Sequence, residues 1–178
     1  MKNILKILTL FLILGIVFQG CTDLESSKRE AKHKATSDKA VQRVGETNYG
    51  FVDIPSDWKK FKDIDISTPI IQYSDKEGKS IITLNMWEKK GQDTKTVASS
   101  LFKKIESEGA ENVKGATVKI GDNEALQVYG VYPKDGVMIV MWIFEKDDGY
   151  IHYVSVEGSK DEIMEIVERT EKSFSLEK

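Results

Sequence analysis

One cysteine, Cys21, has the widest chemical range of any residue in this sequence. A lone thiol can act as a nucleophile, bind a metal, pack in a core or carry a covalent attachment. A structural disulfide is excluded because the chain has no second cysteine. Cys21 lies between an apolar run and a polar stretch, where the sequence offers neither a core nor a fixed general base. Covalent attachment is the interpretation that remains.

The segment before Cys21 has the pattern of an export signal. Residues 1–20 read MKNILKILTLFLILGIVFQG, with Lys2 and Lys6 near the start and an almost wholly apolar run over 7–18. A charged start, a short apolar stretch and a small last residue are typical of a secretory signal peptide. A membrane-spanning helix is the alternative, but it needs about 20 apolar residues. We therefore predict that residues 1–20 are a cleaved signal peptide.

The stretch Val17-Phe18-Gln19-Gly20-Cys21 resembles the lipobox of bacterial lipoproteins. The resemblance implies cleavage between Gly20 and Cys21 and attachment of a diacylglyceryl group to the Cys21 sulfur. Each buried methylene of such a lipid contributes about 0.8 kcal/mol, and two chains hold a protein firmly where one does not. The expected partner is therefore the membrane, reached through a lipid anchor on Cys21. The expected location is the cell membrane, with the domain facing the outside or the periplasm.

Composition argues against nucleic acid as a partner. The chain has 26 Lys and Arg against 29 Asp and Glu, a net charge of −3, and residues 21–178 alone have 24 bases against 29 acids, or −5. The basic residues are scattered and do not form one segment with interleaved aromatics. The motifs of phosphate-binding loops, zinc proteases and paired redox cysteines are also missing, so we expect no cofactor and no metal.

Residues 21–47 are predicted to be a lipid-anchored flexible linker, because they are polar and contain no aromatic residue. Residues 48–178 then show strand and helix patterns. Strands are expected over 49–54, 70–73, 80–87, 116–120, 124–132, 137–145 and 150–157, with helices over about 94–107 and 160–173. The strand over 137–145 is apolar at both parities, which predicts that both of its faces are covered. We expect an α+β domain, a mostly antiparallel sheet of about six or seven strands sandwiched between helices.

This element order, with Tyr-Gly-Phe-Val-Asp-Ile-Pro-Ser-Asp-Trp at 49–58 and the late Asp-Gly hairpins, resembles the PsbP-like and DcrB-like superfamily. The resemblance covers roughly residues 48–178. Its members include photosystem subunits, an import factor and envelope lipoproteins, so the resemblance implies a fold and does not select one activity.

Two functional hypotheses follow. The first is a lipid-anchored extracytoplasmic binding or accessory module that presents a sheet edge or groove to an envelope protein or a small ligand. Trp58, Trp87 and Tyr132 lie near strand ends and are the candidates for that surface, although such aromatics also complete cores. The alternative is a small extracytoplasmic hydrolase that uses carboxylates such as Asp57, Glu88 or Glu145.

The two histidines are expected to be structural or solvated. His33 lies between two lysines in the predicted linker. His152 shares a strand face with Val154 and Val156, which predicts a partly buried, hydrogen-bonded imidazole.

Overall fold

The computed structural model describes residues 40–63 and 69–178, which form nine strands and two helices. In chain order these are β1 Val41–Glu46, β2 Gly50–Pro55, β3 Lys59–Phe61, β4 Ile71–Ser74, β5 Ile81–Glu88, α1 Thr94–Ser107, β6 Glu111–Ile120, β7 Asn123–Tyr132, β8 Val137–Glu145, β9 Tyr150–Ser159 and α2 Lys160–Ser173. Gly20, Cys21 and most of the predicted linker lie outside the described residues.

Seven of the strands form one sheet in the order β3-β4-β5-β9-β8-β7-β6, and every neighbouring pair is antiparallel. Strands β6 to β9 are a meander, because the tight turns between them leave no length for a crossover. The remaining strands, β1 and β2, pair in a separate hairpin. The class is therefore α+β, with a seven-stranded antiparallel sheet and two helices.

Strand β8 is the centre of two cores. Trp142 and Phe144 point into a cluster with α2 and the β1–β2 hairpin, whereas Met141 and Ile143 point into a cluster with α1 on the opposite face. All four side chains are at most 1% exposed. The prediction that both faces of this strand are covered is confirmed. We call the first side the α2 face and the second the α1 face.

The helices begin and end partly as predicted. The Asp93 carboxylate caps α1 by accepting a hydrogen bond from Thr96 N at 2.6 Å. A hydrogen bond from the Thr96 side chain, followed by this backbone bond, lowers the pKa of Asp93. The residues Ser159-Lys160-Asp161-Glu162 predict a capping box at the start of α2. This prediction is wrong, because the Ser159 side chain makes no capping hydrogen bond. Phe174 docks after α2, with its ring edge-on to that of Phe144 at a centroid distance of 5.6 Å.

The domain starts earlier than the predicted boundary at residue 48. Residues 41–46 form β1, which pairs with β2 from Val41 opposite Pro55 to Glu46 opposite Gly50. The sequence pattern does not predict this strand because only Val44 is buried in the core, while Val41 is 50% exposed. The predicted linker therefore includes one strand of the folded domain.

Two further strand boundaries differ from expectation for a similar reason. Strand β3 follows Trp58 where only a turn was predicted, and its Lys59 and Lys60 are exposed. Strand β6 begins at Glu111, five residues before the predicted start, since residues 111 and 112 and 114 to 117 are exposed at the sheet edge. Edge strands gain their hydrogen bonds from one neighbour, so they need little apolar sequence.

Candidate functional site

The α1 face of the sheet is covered unevenly. Helix α1 packs against β6, β7 and β8. Among residues 40–63 and 69–178, neither helix packs extensively against β4 or β5, and only Trp87 at the end of β5 lies beside α1. A row of directly opposed residues crosses the face from the β3 edge to the β6 edge: Phe61, Gln72, Thr83, Ser155, Met141, Val128 and Gly115. After Phe61 at the edge the row is polar as far as Ser155, and it becomes apolar at Met141, where the helix begins to cover it.

The part of this face outside the helix forms what we call the polar surface: Gln72, Thr83, Asn85, Tyr153, Ser155 and Glu157. Gln72 Nε2 donates to Thr83 Oγ1 at 3.2 Å across two strands. The Gln72 side-chain oxygen is buried and has no hydrogen-bond partner within the described residues. A buried amide with a spare acceptor is costly unless a bound group satisfies it.

Burial changes the proton affinity of the groups on this surface. Burial raises the pKa of the Glu157 carboxyl, and it raises the pKa of Tyr153 to about 12 against an opposing hydrogen bond with Ser155. Burial, followed by the nearby Glu108 carboxylate, also raises the pKa of Tyr132. Both tyrosines are therefore protonated at neutral pH, but the Tyr132 hydroxyl already hydrogen-bonds to Glu108. Of the two, it is Tyr153 that can donate a hydrogen bond to a ligand.

Trp87 forms the end of the polar surface next to α1. Its ring lies 6.1 Å from that of Tyr153, tilted by 43°. Trp87 also lines a pocket of about 270 Å³ together with Gln92, which precedes α1. The other lining residues are on α1: Thr96, Ser100 and Lys104 at four-residue spacing, and the apolar Val97 and Leu101. An aromatic ring that faces hydroxyl, amide and ammonium groups suits a polar ligand with one apolar side.

The structure separates the three aromatics that the sequence singled out. Trp87 and Tyr132 are both partly buried beside the α1-face core, so they belong to the same side as the polar surface. Trp58 is 5% exposed and lies in the α2-face core. Its backbone N–H bonds to Pro55 O at 3.1 Å, which turns the ring inward as the chain leaves the hairpin. Trp58 therefore lines no accessible groove.

The carboxylates of the hydrolase hypothesis do not converge. Register places Glu145 on the α1 face and Glu88 on the α2 face of the same sheet end. Each is near a lysine: Glu145 lies 2.7 Å from Lys89, and Glu88 lies 3.6 Å from a second lysine. Asp57 is exposed after β2. The three named acids therefore form no acid–base pair.

His152 is a hydrogen-bonded residue within the sheet, as predicted, but it is fully and not partly buried. It is 1% exposed, its ring stacks on Phe144 at 5.1 Å, and its Nε2 lies 2.8 Å from Asp148 Oδ2. Burial opposes ionisation of Asp148, yet hydrogen bonds from the Tyr150 N–H and His152 leave the pKa of this carboxyl below its usual value. The His152 side chain lies on the closed α2 face, away from the polar surface.

Sequence reasoning missed a second concave feature, on the other flank of α1. A groove of about 530 Å³ runs between α1 and the strands β6 and β7. We call it the β6 groove. The available signal was the small pair Gly115-Ala116 in β6, which leaves space beneath a helix carrying Phe102.

Among the described residues, no helix is long and apolar enough to cross a membrane. The chain matches no protein-family model, and no curated protein sequence matches it significantly.

Proposed function

We propose that this chain is a lipid-anchored extracytoplasmic binding or accessory module of the bacterial cell envelope. The main support for this proposal is the junction at Gly20-Cys21, where an apolar segment typical of an export signal is followed by the one cysteine of the chain. Eighteen residues, 22–39, then separate Cys21 from the described domain. An extended chain of that length reaches at most about 60 Å, so the domain can contact partners beyond the lipid surface.

The described domain supports a binding role more than a catalytic one. Its accessible chemistry is a surface of hydrogen-bonding groups with an aromatic end, formed by the polar surface and Trp87. The carboxylates named for hydrolysis are separated. Gln72 and Ser155 form the buried floor, so this side can hold a ligand on a rigid sheet.

Element order supports a further proposal about fold family. A meander of four antiparallel strands followed by a helix, a first helix on the opposite face, and a strand that ends at Pro55 before a buried Trp58 are consistent with the PsbP-like and DcrB-like superfamily. An experimental structure of this domain, superposed on solved members of that superfamily, would test it. A different strand order would contradict it.

The anchor is tested by labelling cells that express the full chain with radioactive palmitate. Label is expected in the wild type and in the control Thr22→Ala, which changes the next residue and keeps the cysteine. Cys21→Ala should lose the label and the membrane association of the processed form. Equal labelling of Cys21→Ala and wild type would overturn the lipid attachment.

The binding role is tested by crosslinking in intact cells. A photoactivatable amino acid at Asn85 on the polar surface should give a reproducible adduct with one envelope component, identified by mass spectrometry. The matched control is the same amino acid at Ser107, which is exposed at the end of α1. Recovery of the uncrosslinked monomer alone from Asn85, or the same adducts from both positions, would contradict the role assigned to this surface.

A further inference from the structure

We propose that the β6 groove binds a single-chain anionic amphiphile, specifically a long-chain fatty acid. The floor of the groove is apolar and is formed by Ala98 and Phe102 of α1 with Leu126 and Val128 of β7. Its volume of about 530 Å³ falls within the range of roughly 300–1,000 Å³ that is common for small-molecule sites. Hydrocarbon that leaves water for such a floor is stabilised in proportion to the area buried.

The rim of the groove selects for an anion. Lys95 and Lys103 line it from the helix side, and eight residues of α-helix separate them by about 12 Å. Neither lysine forms an ion pair within the described part of the chain. The acid nearest to Lys95 along the chain, Asp93, is engaged as the helix cap. The acid nearest to Lys103 is Glu106, with which it forms no ion pair within the described residues. A carboxylate head can therefore pair with either ammonium while its chain lies on the floor.

The strand side of the groove is open because of one glycine. A Cβ added at Gly115 would meet only Gln127 O, at 3.5 Å, which is an ordinary contact. Gly115 is directly opposite Val128, so its missing side chain would point towards the α1 face and the groove. A large side chain at this position should fill the groove without moving the backbone.

The lysine rim distinguishes this ligand from the lipid on Cys21. The diacylglyceryl group expected at Cys21 has no negative charge, whereas a free fatty acid is ionised at neutral pH. The inference therefore goes beyond the proposed anchor and does not depend on it.

The test uses the full chain in nanodiscs of phosphatidylethanolamine and phosphatidylglycerol, with a 16-carbon fatty acid that carries a diazirine. After irradiation, mass spectrometry should place adducts on peptides of α1, β6 and β7, and excess palmitate should remove them. Gly115→Phe should reduce these adducts at least five-fold. Ser100→Phe places the same side chain on the opposite flank of the helix and should leave the yield of these adducts unchanged.

Charge is tested by Lys95→Glu/Lys103→Glu, which should reduce the groove adducts at least five-fold. The control Lys134→Glu/Lys146→Glu makes the same change in net charge at two exposed turn positions and should retain the groove adducts. Circular dichroism melts verify that each variant is folded. Equal adducts in Gly115→Phe and wild type, or equal adducts with the corresponding fatty alcohol, would overturn the proposal. Because Cys21→Ala should give the same groove adducts, failure here is distinguishable from failure of the anchor.

Discussion

The two faces of the seven-stranded sheet are covered to different extents. On the α2 face, helix α2 and the β1–β2 hairpin close over Trp142, Phe144 and His152, all at most 1% exposed. On the α1 face, one helix covers three strands and leaves a polar surface on one flank and the β6 groove on the other. One face is therefore closed by packing, whereas the other combines a core with accessible concave features, and mutations can test the two faces separately.

The largest expected effect is on the closed face. Trp142→Ala removes a ring that is 0% exposed, together with the hydrogen bond from Trp142 Nε1 to Glu171 Oε1 at 3.2 Å. The expected loss is about 3–5 kcal/mol in the free energy of unfolding, measured by urea denaturation. A loss below about 1 kcal/mol would mean that the α2 face is not the stabilising core.

A smaller effect is expected from two glycines. A Cβ at Gly121 would lie 2.0 Å from Phe174 O, at a φ of +54°, where the end of α2 closes the sheet. Gly121→Ala should destabilise the fold by about 2 kcal/mol. Gly115→Ala, in the open β6 groove, should change stability by less than about 0.5 kcal/mol. Equal losses measured by urea denaturation would contradict the difference between the faces.

Part of this division is visible in the sequence. The run Met141-Trp142-Ile143-Phe144 is apolar at both parities, so a strand with two covered faces could be predicted. Strands β1 and β3 could not be predicted from the sequence, because their side chains are mostly polar or exposed. These strands form by hydrogen bonding to residues that are more distant in the sequence.

The candidate site was less predictable than the fold. Trp87 and Tyr132 were identified by their place near strand ends, yet the same criterion selected Trp58, which the hairpin turns inward. Glu157 and Gln72 carry no sequence motif. Their environment arises only when β4, β5 and β9 are placed side by side.

An intermediate test concerns the aromatic end of the polar surface. Trp87→Ala should cost only about 1 kcal/mol in stability, because the ring is partly exposed, while it weakens capture of the partner crosslinked at Asn85 at least five-fold. Trp58→Phe, a core substitution, is the control that should retain capture. Both are measured by urea denaturation and by adduct yield in cells. Unchanged adduct yield with Trp87→Ala would remove this residue from the binding surface.

The smallest expected effect is a pH dependence. The folded state raises the pKa of Glu157 through burial, so folding favours the protonated carboxyl. The stability of the wild type should therefore fall as pH rises above the ordinary value of 4.5 and through the folded pKa. Glu157→Gln removes this dependence. The urea midpoint of the variant should therefore rise relative to that of the wild type as the pH increases from about 4 to about 8.

The exposed Glu111→Gln is the matched control for this titration. A stability difference between Glu157→Gln and wild type that is constant with pH would show that burial of Glu157 does not couple to folding.

The most direct test of lipid attachment at Cys21 is the mass of the amino-terminal peptide of the mature protein. Tryptic digestion of the protein isolated from membranes should give residues 21–28, ending at Lys28, with a diacylglyceryl mass on Cys21. Recovery of the same peptide without lipid, or of a mature chain that begins at another residue, would contradict the proposed lipid anchor at Cys21.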